Sequence, residues 1–444
     1  MKEEVNPADN SLQRKISFTT ATSIVIANMI GAGIFTTSGI MAGNLPDSGW
    51  VILCWFFGGM LAIAGALCYS ELSTRMPADG GEYIYLRTLY HPLAGFLTGW
   101  TSFIVGFSVP VAASAIGFSS YMFGGMNSSF FIKVSAIVII IVFTVVHYTG
   151  VKIGSKVQNW LTLLKIILVL GLAIAGFLFG KGDWSQITFS FSGSFEGMAI
   201  GTAMMLTMFS YSGWNASSYI AGEIENPRRN LPASLLTGTV IVMVIYLGLN
   251  LFIFYSVPFN EIKGVITVVE AASVNAFGQW IGETFGIIIS LALLSSLSAY
   301  IIIGPRVYYA MSKHGHFFKF ASEVHSRFKV PGKSILIQGT LAIVMITVGS
   351  FEQLLVYLGF SLSIFPLLAV AGIFIARKRK IGENTAVKVW GYPFVPVFFL
   401  TCSFLLMVVA FINRPAESTI AIATVLLGIP FYYLWIKRNS SING

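Results

Sequence analysis

Apolar runs long enough to cross a bilayer recur from residue 17 to residue 436, and nothing else limits the fold as much. About 18 to 20 residues at 1.5 Å each span a hydrocarbon core of roughly 30 Å. Inside that layer only a helix or a closed barrel satisfies its own backbone. Runs of this length are helical, so an all-α integral membrane protein is expected. Twelve spans are predicted, over 17–40, 49–74, 92–123, 131–150, 157–180, 196–221, 233–257, 277–311, 333–350, 353–376, 391–412 and 417–436. Composition agrees: 55% of the 444 residues are hydrophobic and 10% are charged, against roughly 25% charged in soluble domains. Residues 17–40 are polar at their centre and followed at once by another span, unlike a cleaved leader.

Charge placement sets the expected orientation. With the N-terminus inside, 21 of the 27 Lys and Arg residues fall on cytoplasmic segments. Four (Lys133, Lys181, Lys263 and Arg414) fall on the other side, and Lys165 and Arg306 lie within spans. This asymmetry predicts a multi-pass protein of the cell membrane with both termini, 1–16 and 437–444, in the cytoplasm. The net charge of +9 is scattered over short loops, so it reads as an orientation signal and gives no reason to expect nucleic acid as a partner. Cys54, Cys68 and Cys402 all fall within spans, where they read as small packing residues and not as a disulfide framework.

Two spans are interrupted alike. The first carries N-M-I-G-A-G-I-F over residues 28–35, and the sixth carries F-S-Y-S-G-W-N-A-S-S over 209–218. Gly31 and Ser212 lie 181 residues apart, which is five spans. Five is odd, so a duplicated five-helix unit must insert with opposite orientation. The expected organisation is a first repeat over 17–180, an inverted second repeat over 196–376, and two further helices over 391–436. Polar, Gly-interrupted segments at matching places in two halves point to a secondary transporter's binding site. Close helix packing through small residues competes as an explanation of G-A-G alone; two breaks in repeat register favour the site. Half-helices starting near Ile34 and ending near Ile30 and Phe209 would offer amides to a carboxylate and free carbonyls to an ammonium. Carboxylate and ammonium on one small molecule describe an α-amino acid.

These residues carry a resemblance. The chain resembles the amino acid–polyamine–organocation transporters, especially the L-type amino acid transporter branch, over nearly its whole length. The motifs are IGAGIF (30–35), ELSTRMPADGGEYIYLRTLYHPLAGFLTGW (71–100), FSYSGWN (209–215), GEIENPRRNLP (222–232) and GPRVYYAM (304–311). The resemblance implies the leucine-transporter fold, with twelve helices, a five-plus-five inverted repeat, discontinuous helices 1 and 6, and alternating access. It implies that Met29, Ile30, Gly31, Ala32 and Gly33 surround the substrate's carboxylate and amine. Phe209, Ser210, Ser212 and Gly213 would line the other break, with Phe209 as an aromatic gate. Ala32 stands where relatives often have Ser, which leaves recognition to the backbone. Asn215 is expected either to bridge the broken backbone or to contact substrate; acid-resistance antiporters place a pH-sensing Glu there.

Lys165 lies near the middle of the fifth span, nine residues beyond Lys156. A Lys at such depth costs about 2.5–3.5 kcal/mol on insertion scales and marks function by default; snorkelling to the inner face is the competing explanation. In sodium-independent relatives a Lys at this position stands where sodium-coupled ones hold an ion. It would touch the carbonyls ending the first half-helix and a hydroxyl of span 8, Ser296 or Ser298, so no sodium coupling is expected. Lys165 is also the candidate should transport be proton-coupled. Arg306 is expected to snorkel or pair with a loop carboxylate, and Glu71 and Glu223 could form ion pairs with Arg75 or Arg228. The H-G-H of 314–316 reads as a solvated loop.

Enzyme signatures are missing: there is no H-E-x-x-H, Walker or C-x-x-C motif, and no cofactor or metal is expected. A channel would want a charged pore ring or a repeated filter. Relatives in animals join a heavy subunit through a Cys between helices 3 and 4, and G-G-M-N-S-S there has none. A stand-alone bacterial protein without a disulfide-linked heavy subunit is therefore the expectation. N-S-S also makes Asn127 a sequon on the outer side. No carboxylate stands among the expected pocket residues to pair a cationic side chain, which favours neutral L-amino acids as substrates. Exchange is the expected mode, with proton symport as the alternative.

Overall fold

The computed structural model describes residues 12–123, 129–189, 197–265, 267–348, 351–413 and 415–443. The sequon Asn127 and the rest of its loop lie outside these residues. Sixteen α-helices make up about three-quarters of the described residues, and one isolated bridge, Ile16 with Ile224, is the only β pairing among them. Nine helical stretches among the described residues are long and apolar enough to cross a membrane.

The first expected span is two helices, α1 (Phe18–Met29) and α2 (Ala32–Asn44), with Ile30 and Gly31 between them. Helices α3 (Ser48–Arg75), α4 (Glu82–Leu89) and α5 (Pro92–Thr101) follow. A π-helical turn over Ser102–Gly106 joins α5 to α6 (Ser108–Phe123). Then come α7 (Ser129–Tyr148) and α8 (Val151–Phe179).

The sixth expected span departs from a simple pair of half-helices. Helix α9 (Gly197–Tyr211) ends in turns, and a 3-10 segment over Ala216–Ile220 replaces its continuation. Helix α10 (Pro227–Ser256) follows, then the short α11 (Val268–Phe277) and the long α12 (Gln279–Lys313). The series closes with α13 (Gly332–Val348), α14 (Phe351–Lys378), α15 (Phe394–Asn413) and α16 (Pro415–Asn443).

Small residues bring the inner helices together, as apolar solvent makes shape the main determinant of packing. A Cβ added to Gly58 would lie 2.4 Å from Thr207 Cγ2, and one on Gly59 would lie 2.6 Å from Met243 Cγ. One on Gly65 would meet Trp214 at 2.7 Å. Three glycines on α3 therefore seat α9, α10 and the segment beyond the second break. Helix α8 shows the complementary pattern. Gly154, Gln158, Thr162, Lys165, Val169 and Leu172 are buried at helical spacing, while Trp160, Leu163, Ile167 and Ile174 are exposed on the opposite side. One face of α8 meets the bundle and the other is left for lipid.

One end of the bundle is closed by polar contacts. Lys15 and Ile16 donate backbone N–H groups to Glu223 O, both at 2.9 Å, and Glu225 N–H returns to Ile16 O. Arg14 donates to Ile224 O. Arg306 Nε lies 2.6 Å from Glu223 Oε1 with both side chains buried. Arg306 thus pairs with a loop carboxylate and not with lipid or water, and it takes the place expected for Arg228. Glu71 is held by Arg75 at 2.8 Å and Arg377 at 2.6 Å.

The two broken helices and their candidate substrate site

The two breaks face each other. A Cβ on Gly33 would lie 2.5 Å from Ser210 Oγ and 3.0 Å from Ser210 Cα. Gly213, at φ +97°, stands so close to the first break that a Cβ there would meet Asn28 Cβ at 2.8 Å. The positive φ and this close approach both demand glycine. Thr37 and Ser210 share a hydroxyl contact of 3.1 Å, which ties α2 to α9. Gly31 differs from its neighbours: a Cβ built on it meets nothing within 4 Å. Open space therefore adjoins the backbone where α1 stops and α2 begins.

The sequence leads one to expect free carbonyls at the end of α1, with Lys165 against them through the resemblance; in the structure Lys165 is there, and further donors occupy the carbonyls. Lys165 Nζ donates to Ile30 O at 2.7 Å and to Ala27 O at 3.3 Å. Ser296 Oγ reaches the same Ile30 oxygen at 2.8 Å and lies 2.8 Å from Lys165 Nζ. Tyr300 OH donates to Asn28 O at 3.1 Å. Tyr246 OH lies 2.6 Å from Met29 O and 2.9 Å from Ser210 O, within reach of the ends of both α1 and α9. The physical reason is general: a buried carbonyl without a donor costs about as much as a lost hydrogen bond, and such groups find partners. Ile30 O has two donors, and Met29 O also accepts from Gly31 N–H at 2.8 Å, so a site for an ammonium is left to Asn28 O and Ser210 O, each with one of these hydroxyls on it.

Lys165 is fully buried, which leaves no room for snorkelling. Of the two span-8 hydroxyls considered, Ser296 contacts it and Ser298 does not. Ser298 Oγ lies 2.8 Å from His147 Nε2. Residues two apart on a helix point roughly 200° away from each other, so one hydroxyl facing Lys165 turns the other aside.

Met29, Ile30 and Ser210 are buried, whereas Gly31, Phe209, Ser212 and Gly213 are half-buried. The Ser210 hydroxyl is committed to Leu206 O and Thr37. Ala32 opens α2, with Gly31 as the N-cap residue. The first amides of α2 have no partner within their helix and carry its positive end. Asn215 lies farther along. Its Nδ2 donates to Glu82 Oε1 at 2.7 Å, so its side chain bridges neither break. Tyr246, Tyr300 and Glu82 were not singled out from sequence. Tyr is common in apolar helices, and only the fold brings these residues to the breaks.

The H-G-H segment is also different from expectation. His316 is buried, with Nδ1 3.0 Å from Tyr83 OH. Burial, with Arg87 and His314 nearby, pushes its imidazole down to about 4. Among the described residues no group of His, Cys, Asp and Glu is placed to hold a metal ion.

Comparison with known proteins places this geometry in a family. The family model described as amino acid permease matches residues 16–432. The serine/threonine exchanger SteT of Bacillus subtilis is 32% identical over 98% of this chain and 99% of its own length. The human b(0,+)-type amino acid transporter 1 is 29% identical over 97% of the chain and 89% of that protein. The human large neutral amino acids transporter small subunit 2 is 25% identical over 96% and 81%. Family and relatives are transporters and not enzymes. The chain belongs to the amino acid permease family, and is a multi-pass membrane transporter of the amino acid–polyamine–organocation superfamily.

Proposed function

We propose that this protein exchanges neutral L-amino acids across the cell membrane without sodium. The observation that carries the reading is the Lys165 ammonium, seated 2.7 Å from Ile30 O beside the open space at Gly31. A fixed cation there occupies the carbonyl oxygens that a coordinated metal ion would need, so the end of α1 is stabilised without a co-transported ion. The substrate carboxylate would meet the first amides of α2, and its ammonium the remaining lone pairs at the ends of α1 and α9. Phe209, half-buried, would cover the bound molecule.

Neutral substrates fit the site because Gly31, Ser212, Gly213 and Phe209 bring no charge to it. The serine/threonine exchanger that matches nearly end to end supports exchange and a neutral substrate. The closed end of the bundle, which carries Arg14, Lys15, Arg75, Arg306 and Arg377, would face the cytoplasm under the positive-inside rule.

Counterflow in proteoliposomes tests all of this. Uptake should saturate, require an amino acid on the opposite side, and be unchanged when sodium is replaced by choline. L-Serine, L-threonine and larger neutral amino acids should compete, and L-lysine and L-glutamate should not. A sodium requirement or a non-saturating conductance would overturn the reading.

A further inference from the structure

Glu82 is a carboxyl group that the site described above does not use. It opens α4 and is buried, at 4% exposure. Its Oε1 accepts from Tyr69 OH at 2.6 Å and from Asn215 Nδ2 at 2.7 Å, and Tyr219 adds a third donor. No cation is paired with it among the described residues. The charged groups on the elements packed around it are engaged elsewhere. Arg306 from α12 is paired with Glu223, while Arg377 from α14 and Arg75 from α3 share Glu71. Asp79 accepts from Gly222 N–H. Arg87, farther along α4, lies toward His314 and His316. Tyr85, from Glu82's own helix, also stands close to Tyr69 and Glu82.

Such a carboxyl is held between two outcomes. Burial without a counter-ion favours the neutral acid, and three donors favour the carboxylate. Here burial prevails, and the carboxyl is pushed above the usual range.

The donors come from two bodies of the fold. Tyr69 and Glu82 belong to the first repeat, whereas Asn215 and Tyr219 lie on the segment just past the second break. Alternating access moves one part of such a fold against the other. Motion that parts these two segments removes two of the three donors and leaves the carboxyl buried or newly wet.

We infer that Glu82 is a proton-binding site whose occupancy is linked to the contact between α4 and the segment beyond the second break. Closure at this contact favours the carboxylate and releases a proton; parting favours the acid and takes one up. Transport is therefore pH-dependent through a group that touches neither end of the amino acid. A difference of one pKa unit between the two states changes their ratio about tenfold per site.

The test is L-serine counterflow in proteoliposomes, with pH equal on both sides and stepped between about 5 and 8. An Asp79→Asn background removes a carboxyl that is itself raised to about 7. In that background the rate should change by about tenfold across the range, and adding Glu82→Gln should flatten the profile. Tyr219→Phe keeps the carboxyl, removes one donor, and should move the midpoint to higher pH. A merely structural role would lower the rate at every pH without changing the profile. Should Glu82→Gln fail to fold, an unmoved midpoint in Tyr219→Phe overturns the inference by itself. Infrared titration of the purified protein needs no substrate, and so separates this inference from the substrate reading. A buried carboxylic-acid band should titrate in the Asp79→Asn protein and be missing when Glu82→Gln is added. A pH profile or band that survives Glu82→Gln overturns the proposal.

Discussion

Tyr246 and Met29 are joined by a 2.6 Å hydrogen bond from α10 to the last carbonyl of α1. The same hydroxyl lies 2.9 Å from Ser210 O, yet it has one proton to give. It therefore cannot satisfy both helix ends at once; Met29 O also holds the Gly31 N–H, so Ser210 O is the place for another donor. Tyr246→Phe leaves Met29 O with only the Gly31 N–H and takes the hydroxyl away from Ser210 O. Stability should fall by about 1–3 kcal/mol, read as a lower melting temperature in detergent, and counterflow should fall with it.

Removing the buried ammonium tests the other half of this arrangement. Lys165→Ala strips donors from Ile30 O and Ala27 O. Exchange should drop at least about tenfold, the equivalent of one lost hydrogen bond to a charged group. Wild-type counterflow should be the same in sodium and choline. Stimulation of the wild type by sodium would contradict the assignment of Lys165.

The glycines of the first break should separate by kind of damage. A methyl group on Gly33 collides with Ser210 backbone and side chain, at 3.0 and 2.5 Å, so Gly33→Ala should lower thermal stability. At Gly31 nothing lies within 4 Å. Gly31→Ala should fold normally and still impair binding, because the methyl enters the space assigned to substrate. Equal melting temperatures for the two variants would argue against that assignment.

The Arg306–Glu223 pair is buried on both sides, so removing one partner leaves the other charge uncompensated. Arg306→Met or Glu223→Met alone should cost about 3–5 kcal/mol. The double variant should recover much of that loss. A double-mutant cycle on unfolding in detergent measures the difference.

Acid should stabilise the protein through Asp79. Its side chain is half-buried by area but surrounded by protein atoms, and this, with Glu223 close by, raises its carboxyl from 3.8 to about 7 despite Arg306. A group raised on folding contributes stability that is fully present below the unfolded value and is lost as pH rises through the folded one. Melting temperature should therefore fall between about pH 4 and pH 7, and Asp79→Asn should flatten this slope.

The membrane class, the position of the first break and the depth of Lys165 were legible because each violates an otherwise apolar run. Asn and Lys inside hydrocarbon are costly and therefore conspicuous, and a glycine pair beside such a residue marks a break. What surrounds them was not legible. Tyr246 and Tyr300 sit in helices where aromatic residues are ordinary, and no local rule says which hydroxyl reaches a carbonyl more than 200 residues away. The choice between Ser296 and Ser298 depends on the rotation of α12, which packing sets. Glu82 and His316 fall between the expected spans, where connecting segments are usually wet. Here the chain folds back: α4 carries Glu82 into protein surroundings and sets Tyr83 against His316, which follows α12.

The pairing of Ile16 with Ile224 has a practical side. It fastens the residues just before α1 to the polypeptide that follows the second break, through main-chain bonds that any side chain permits. A fluorophore on residue 12 or 13 would ride on this joint, and its partner dye near residue 228 would report each loosening of it. Such labels sit at neither break, and a change in their energy transfer during counterflow would report whether the joint loosens as the protein turns over.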